Sequence, residues 1–312
     1  MGMIINTGQR TDIPAFYSKW FANRLKDGFV CVRNPYNPSQ VSRYRLDPSV
    51  VDCIGFCTKN PVPMFEYMDL LQPYGQFWYV TITPYGRDIE PNVPDKHKLL
   101  DDFCELSDLV GVNRVGWRYD PIFISRKYSY DYHLRAFETM ASALDGYTDN
   151  VVISFVDLYA KVKRNFPEVQ EVEEADRLSL GKAIIAIAKS HHMVVRPCGE
   201  GTELEQFGAD CGGCMTIPIY ERAIGYKLNV PPFKPSRNNC GCYISCDIGA
   251  YDTCQHMCRY CYANNDYDAV RRNARKHNPS SPFLIGDIQS GDVVHDVEQY
   301  SFKDSQLPLF SL

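Results

Sequence analysis

The stretch QFWYVTIT, residues 76–83, is a short run of aromatic and β-branched residues that is typical of a buried β-strand. A segment of helical period follows it at residues 95–109. Five other runs of the same kind lie at residues 3–7, 52–58, 113–120, 150–157 and 192–198. Further helical segments separate them at residues 15–25, 63–71, 129–144 and 174–191. This alternation predicts parallel βαβ units with right-handed crossovers.

Polar side chains at the ends of these runs favour one arrangement of the units. They are Thr58, Lys59, Thr83, Arg118, Asp120, Ser154, Asp157, Arg196 and Cys198. The carboxyl ends of parallel strands converge on one mouth, where ligands bind. We therefore predict an α/β fold in which six parallel strands form a (β/α) partial barrel. An open doubly wound sheet is the alternative.

Composition limits the class of protein. The 312 residues are 45% hydrophobic and 13% aromatic, which suffices for one large domain with a small appendage. The formal net charge of −5 argues against nonspecific coating of nucleic acid, because such binding is driven by Lys and Arg. The sequence has no run of eighteen apolar residues and no signal peptide. We expect a cytoplasmic protein with no membrane partner.

The chain divides into three regions by periodicity. Residues 1–197 carry the alternating pattern and form the predicted core. Periodicity fades in residues 198–265, where Gly, Pro, Cys and Asn accumulate, and we expect this Cys-rich segment to pack on the core and close its mouth. Residues 266–312 form a polar tail with one short helix near residues 268–276.

The clustered cysteines indicate metal chemistry. The sequence has 13 cysteines, and a reducing compartment disfavours a disulfide framework. Cys254, Cys258 and Cys261 have the spacing C-x3-C-x2-C, which can hold three corners of a [4Fe–4S] cluster. The fourth iron then stays open for a small chelating ligand such as S-adenosylmethionine. A zinc site or a fully ligated electron-transfer cluster is the alternative.

The same residues carry a family resemblance. CQHMCRYC, residues 254–261, resembles the radical S-adenosylmethionine signature, with Tyr260 at its aromatic position. Its extension YCYAN at 260–264, together with GQRTDIPA at 8–15 and FCTKNP at 56–61, is similar to the spore photoproduct lyase branch. The motif usually follows the first strand in that superfamily but here follows the sixth predicted strand. The chain thus resembles a permuted version, similar to an uncharacterised bacterial family.

The resemblance implies an enzyme that generates a 5′-deoxyadenosyl radical from S-adenosylmethionine and abstracts hydrogen from a substrate. It also implies a reductant such as flavodoxin or ferredoxin. Tyr260 is expected near the adenine of the cofactor. We expect Arg118, Asp120 and Lys59 to be catalytic residues, and Asp12 and Thr83 to bind the cofactor together with Tyr260. An internal Arg118–Asp120 ion pair is the alternative for these two residues, and Lys59 and Asp12 carry the same ambiguity.

Further cysteines could form a second metal site. We expect a second [4Fe–4S] cluster from Cys198, Cys214, Cys240 and Cys242, with Cys211 or Cys246 as replacements. Such a cluster could relay electrons or bind substrate. A structural zinc ion and free buried thiols are the alternatives.

The C-terminus suggests a partner. Gln306, Leu307, Leu309 and Phe310, with Pro308, resemble the peptide by which bacterial repair proteins dock on the sliding clamp. A tail that folds back on its own core is the alternative. Together with the photoproduct lyase resemblance, the tail favours a DNA base or lesion as substrate, in repair or nucleobase modification. The other hypotheses are a radical enzyme acting on a small molecule, peptide or RNA, and a non-catalytic zinc or iron–sulfur protein recruited to the clamp.

Overall fold

The computed structural model describes residues 3–234 and 240–304. Within these residues the main sheet has seven strands, all parallel to their neighbours. They are β1 (Met3–Asn6), β4 (Val51–Thr58), β5 (Gln76–Thr81), β6 (Val115–Ile122), β7 (Asn150–Phe155), β8 (Val194–Pro197) and β9 (Cys246–Asp247). Their order across the sheet is β8-β7-β6-β5-β4-β1-β9.

The predicted α/β class and parallel sheet are confirmed, and all six predicted runs supply strands. The predicted number of six is wrong, because β9 pairs with β1 as a seventh strand. A two-residue strand is too short to leave an alternating pattern in the sequence. In the described parts of the chain, β8 and β9 are the edges and the sheet is not closed into a barrel.

Helices connect most of the strands. They are α1 (Ile13–Phe16), α2 (Ser18–Asp27), α3 (Met68–Leu71), α4 (Lys96–Val110), α5 (Tyr130–Leu144), α6 (Ala160–Asn165), α7 (Glu174–Ser190), α8 (Ile217–Ile224) and α9 (Tyr267–Arg275). The five predicted helical segments of the core and the short helix near residues 268–276 are confirmed. Local sequence explains their starts, since the Asp95 carboxylate caps α4 and the Ser129 hydroxyl caps α5.

Aromatic stacking joins two neighbouring strands and joins the sheet to one of its helices. Phe56 of β4 stacks on Trp78 of β5, with ring centroids 3.7 Å apart. Trp117 of β6 stacks on Phe137 of α5 at 4.8 Å. All four side chains are fully buried. Burial of each stabilises the fold by about 2–3 kcal/mol, which fixes the strands that carry the polar residues discussed below.

A small second sheet contains β2 (Phe29–Arg33), β3 (Gln40–Arg45) and β10 (Val293–Asp296). β2 and β3 are antiparallel, and β10 runs parallel to β3. Trp20 donates a hydrogen bond to the Ser281 carbonyl at 2.9 Å, and Arg33 forms an ion pair with Asp292. The described part of the polar tail therefore packs against the first 45 residues.

Two other expectations concern the tail and the membrane. The clamp-like residues Gln306, Leu307, Leu309 and Phe310 lie outside the described residues. None of the described helices combines the length and the apolar character needed to cross a membrane.

Candidate functional site at the carboxyl edge of the sheet

The ends of β4 to β8 bring the predicted polar residues to one edge of the sheet. Thr58 ends β4, Arg118 and Asp120 lie in β6, and Ser154 lies in β7. The Ser154 hydroxyl donates a hydrogen bond to the Asp120 carboxylate, so neighbouring strand ends are in direct contact. This edge is where ligands bind in parallel α/β folds.

The loop with Cys254, Cys258 and Cys261 follows β9 and is held in place by the N-terminal half of the chain. The Tyr17 hydroxyl donates to the Thr253 carbonyl at 2.7 Å. The backbone N–H of Arg259 donates to the Ile89 carbonyl at 3.0 Å. We call residues 254–261 the cysteine loop. Its anchors lie more than a hundred residues away in sequence, so the position of the loop depends on the core.

The three thiols of the cysteine loop are close to one another and to charged side chains. Burial raises the pKa of Cys254, and the neighbouring Cys261, Asp12 and Cys258 raise it further. Burial also raises the pKa of Cys258, assisted by Glu90 and opposed by Lys59. Burial raises the pKa of Cys261 too. The loop therefore places a buried thiol, Cys258, and two half-buried thiols, Cys254 and Cys261, near the charges of Asp12, Glu90 and Lys59.

Asp12 connects the cysteine loop to the end of β4. Its Oδ2 atom accepts hydrogen bonds from the Lys59 backbone N–H at 2.7 Å and from His256 Nε2 at 2.9 Å. Its Oδ1 atom caps α1 by accepting from the Ala15 N–H at 3.0 Å. Asp12 and His256 are both buried. The carboxylate predicted as a cofactor contact thus has an internal structural role, and its partner His256 was not predicted.

Glu90 lies at the centre of a buried network that the sequence analysis missed. Its Oε1 atom accepts hydrogen bonds from Thr83 Oγ1 at 2.7 Å and from Lys59 Nζ at 2.8 Å. The Lys96 ammonium and the Tyr260 hydroxyl also donate to its carboxylate. Three of the predicted residues, Lys59, Thr83 and Tyr260, therefore meet at one unpredicted carboxylate.

Opposite charges explain why the Glu90 carboxylate is ionised in this buried network. Burial alone would raise the pKa of Glu90, but the Lys59 and Lys96 ammonium groups lower it to about 2. Burial lowers the pKa of Lys59, yet Glu90 outweighs this effect and raises it. For Lys96, burial prevails and its pKa is lowered. No local pattern marks Glu90, which lies in an irregular loop between β5 and α4.

Arg118 and Asp120 form the internal ion pair that was the alternative at the sequence level. Nε and Nη2 of Arg118 both donate to Asp120 Oδ2, at 2.9 and 2.5 Å. Nη1 lies 3.5 Å from Cys214 Sγ, and the guanidinium lies over the Tyr79 ring. Burial lowers the pKa of Lys59, and the charges of Glu90, Cys258 and, to a smaller extent, Asp120 raise it. The Arg118–Asp120 pair therefore lies near enough to the Glu90 network for the Asp120 charge to act on Lys59.

The other clustered cysteines meet beside Arg118. Cys214 Sγ lies 3.6 Å from Cys198 Sγ and 3.5 Å from Cys242 Sγ. Cys240 is buried in the same apolar cluster as Cys214 and Cys242. We call Cys198, Cys214, Cys240 and Cys242 the four-thiol group. Neither replacement is needed here, because Cys246 lies in β9 and Cys211 packs on the main core.

A search of the described side chains found no group of three or more His, Cys, Asp or Glu that could hold a metal ion as they are placed. A single metal ion needs its ligands to surround one common point. A four-iron cluster instead distributes its thiolates over different irons, so its cysteine sulfurs lie further apart than around one ion.

A family model matches residues 4–263, and its description is "Domain of unknown function (DUF1848)". The chain belongs to the DUF1848 family. This match corrects the resemblance to the radical S-adenosylmethionine superfamily and its spore photoproduct lyase branch, because the model that covers nearly the whole core is of a different family. The DUF1848 match includes the cysteine loop and the four-thiol group and ends before α9. A search of the curated proteins found no match.

Proposed function

We propose that the protein is an iron–sulfur enzyme that binds a [4Fe–4S] cluster through Cys254, Cys258 and Cys261 and uses S-adenosylmethionine. The observation that carries the proposal is the anchoring of a three-cysteine loop, through His256 and Asp12, to the end of β4 at the carboxyl edge of a parallel sheet. Three thiolates leave one iron of such a cluster without a protein ligand. That iron can take the amine and carboxylate of a small chelating cofactor.

The donor set and its surroundings fit a cluster at this position. Thiolates are the usual ligands of iron–sulfur clusters, and their negative charge is costly to bury without compensation. The Lys59 ammonium provides compensation, since it acts against the rise in pKa that burial causes at Cys258 and Cys261. Cys258 is buried, at 5% exposed, and Cys254 and Cys261 are half-buried. This environment suits a cluster that handles a reactive species.

The bound cluster would supply one electron for cleavage of the carbon–sulfur bond of S-adenosylmethionine, which yields methionine and a 5′-deoxyadenosyl radical. The electron would come from a flavodoxin or ferredoxin in the cytoplasm. The residues of the chain hold fixed charges around that chemistry. Glu90 positions Lys59 and Lys96 beside Cys258, and Asp12 positions the loop through His256. We further propose that the sheet curves as a partial barrel, with the described residues of the Cys-rich segment, 198–234 and 240–265, across its mouth.

Exposed tyrosines beside the cysteine loop support a nucleic-acid base as the substrate. Tyr159, Tyr251 and Tyr262 are 44, 37 and 47% exposed. The rings of Tyr159 and Tyr262 lie 6.3 Å apart, and Lys161 Nζ lies 4.5 Å from the Tyr251 ring centroid. Lys161 is also near Cys261, whose pKa it lowers against the effect of burial. We call these three tyrosines the tyrosine rim.

A tyrosine rim with neighbouring cations has the chemistry of a surface on which unpaired bases stack. Lys161, Lys163 and Arg164 of α6 supply the cations, while Asp157 accepts a hydrogen bond from Tyr159 and adds a negative charge. The same rim could hold an RNA base, so the substrate class proposed is an unpaired base, in DNA repair or nucleobase modification. A small-molecule or peptide substrate would not require the tyrosine rim.

Anaerobic reconstitution tests the proposal. We expect about four irons and four sulfides bound by the cysteine loop, brown colour, and release of 5′-deoxyadenosine from S-adenosylmethionine under dithionite. Cys258→Ala should lose all three properties. Cys104→Ala, which changes a cysteine of α4 outside both groups, is the matched control and should retain them. An intact, reduced cluster that releases no 5′-deoxyadenosine would overturn the enzyme proposal, and zinc in the loop would favour the non-catalytic alternative.

A further inference from the structure

We propose that the four-thiol group, Cys198, Cys214, Cys240 and Cys242, is a second metal site that takes a single tetrahedral ion of the Zn²⁺ type. This site is separate from the cysteine loop and does not depend on the enzyme proposal. Three separate parts of the chain supply the thiols: the end of β8, the turn before α8, and the segment before β9. No disulfide joins the described cysteines.

The sulfur–sulfur distances favour one ion over a second four-iron cluster. Four thiolates at about 2.3 Å from Zn²⁺ in a tetrahedron lie about 3.8 Å from one another. Cys214 Sγ is 3.6 Å from Cys198 Sγ and 3.5 Å from Cys242 Sγ, close to that value. In a four-iron cluster each cysteine binds a different iron, so sulfurs in contact do not match its geometry.

Two glycines allow the thiols to approach. A Cβ atom added to Gly241 would lie 2.1 Å from the Gly212 carbonyl oxygen. Gly213 has φ = +117°, and a Cβ there would lie 3.2 Å from the Gly241 backbone. The backbones before Cys214 and before Cys242 are therefore packed as closely as only glycine permits. This close approach is what brings the two sulfurs into contact.

Hydrogen-bond donors lie at two of the four sulfurs and would stabilise their thiolate form. The backbone N–H of Met215 donates to Cys242 Sγ at 3.2 Å. Arg118 Nη1 donates to Cys214 Sγ at 3.5 Å. N–H donors to ligand sulfurs commonly orient them and stabilise the thiolate form. The buried aromatic side chains of Phe77, Tyr79 and Tyr220 belong to the same apolar cluster as Cys214, Cys240 and Cys242.

The four sulfurs do not yet surround a common point in the described residues, where no three ligands are placed for a metal ion. Cys214 already contacts Cys198 and Cys242, so binding would turn these side chains around the ion and bring the Cys240 sulfur to them. The ion would then tie the segment that carries the cysteine loop to the carboxyl edge of the sheet, beside the Arg118–Asp120 pair. We infer a structural role for the site, because all four positions of the ion are occupied by protein.

Metal analysis of the full chain tests the site. The variant Cys254→Ala/Cys258→Ala/Cys261→Ala removes the cysteine loop ligands and should still contain about one zinc per chain. Cys214→Ala should lose that zinc. Cys104→Ser is the control and should retain it. If the triple variant binds about four irons and no zinc, the four-thiol group holds a second cluster and the proposal is wrong. Failure of the enzyme proposal would leave the zinc of the triple variant unchanged, so the two failures can be distinguished.

A second measurement covers the case in which Cys214→Ala does not fold. Co²⁺ added to the metal-free triple variant should give the intense visible absorption of a tetrahedral thiolate complex, and Zn²⁺ should displace it at one equivalent per site. Cys240→Ser, which changes a ligand at the periphery of the group, should weaken Co²⁺ binding by about 10-fold or more. Absence of that absorption from the folded triple variant, or unchanged affinity in Cys240→Ser, would overturn the proposal.

Discussion

His256 Nε2 lies 2.9 Å from Asp12 Oδ2, although 244 positions separate the two residues in the chain. Both side chains are buried, and the same carboxylate oxygen accepts the Lys59 backbone N–H. One carboxylate near the N-terminus therefore fixes both the end of β4 and the cysteine loop. The position of the loop follows from this contact, because the loop itself has no regular secondary structure between residues 254 and 261.

Asp12→Asn should loosen the cysteine loop. Asp12 Oδ2 accepts from both His256 and the Lys59 N–H, whereas Oδ1 caps α1. An amide has only one acceptor oxygen, so either the Ala15 N–H or both of the other donors lose their partner, at a cost of about 1–3 kcal/mol per donor. We expect reconstituted iron to fall by at least half while the fold is retained. Iron per chain and circular dichroism measure the two effects. Asp27→Asn, on the exposed side of α2, is the control, and equal iron in both variants would contradict the role of Asp12.

Glu90→Gln should destabilise the fold strongly. It removes the negative partner of Lys59 and Lys96, and both ammonium groups then lack compensation in a buried site. Loss of one partner from such a buried ionic group costs about 3–5 kcal/mol. Urea unfolding at neutral pH measures the free energy of unfolding. Glu105→Gln changes an exposed carboxylate of α4 and should cost less than about 0.5 kcal/mol. Similar values for the two variants would show that the network is not stabilising.

His133 should make stability depend on pH. Burial lowers its pKa to about 4, and its ring nitrogens contact the Tyr119 hydroxyl and the Phe123 carbonyl. The unfolded chain binds a proton near pH 6.5 and the folded chain does not, so this contribution is complete above that pH and is lost as the pH falls towards 4. Between about pH 7.5 and pH 5 the loss should be about 2 kcal/mol.

Urea unfolding of His133→Gln at both pH values checks this contribution. The variant should lose about 2 kcal/mol less stability than the wild type over the same interval, because glutamine does not titrate. His97→Gln, at an exposed position of α4, should follow the wild type. Parallel pH curves for all three proteins would refute a neutral buried His133.

Gly241→Ala should disrupt the four-thiol group selectively. The added methyl group would overlap the Gly212 carbonyl oxygen, so the backbone before Cys242 must move away from that before Cys214. We expect zinc content to fall several-fold while iron in the cysteine loop is retained. Gly212→Ala is the control, because its Cβ meets only the flexible Asp210 carboxylate, at 3.1 Å. Full zinc occupancy in Gly241→Ala would argue that close packing is unnecessary.

Tyr159→Ala should weaken binding of single-stranded nucleic acid. Loss of one stacking ring costs about 1–3 kcal/mol per base, which is roughly a 5- to 150-fold increase in Kd. Fluorescence anisotropy with a labelled single-stranded oligodeoxynucleotide measures the change. Tyr36→Ala removes a tyrosine that is 93% exposed and lies away from the rim, and it should bind like the wild type. No binding by the wild type, or equal loss in both variants, would exclude the tyrosine rim as the contact surface.

The sequence by itself determined the α/β class, six of the seven strands of the main sheet and the core helices, because periodicity and β-branched or aromatic runs are local properties of the chain. It also singled out the cysteines whose spacing or clustering indicates metal binding. Capping residues such as Asp95 and Ser129 lie next to the helices they start, so those boundaries are local too.

Only the tertiary structure decided which distant residues meet. The seventh strand exists because Cys246 and Asp247 pair with β1, a contact that two residues cannot encode alone. Glu90 gathers Lys59, Thr83 and Tyr260 from separate segments of the chain. Cys214 likewise meets Cys198 and Cys242 across the fold. Contacts of this kind depend on packing between residues far apart in the sequence, and local sequence patterns do not predict them.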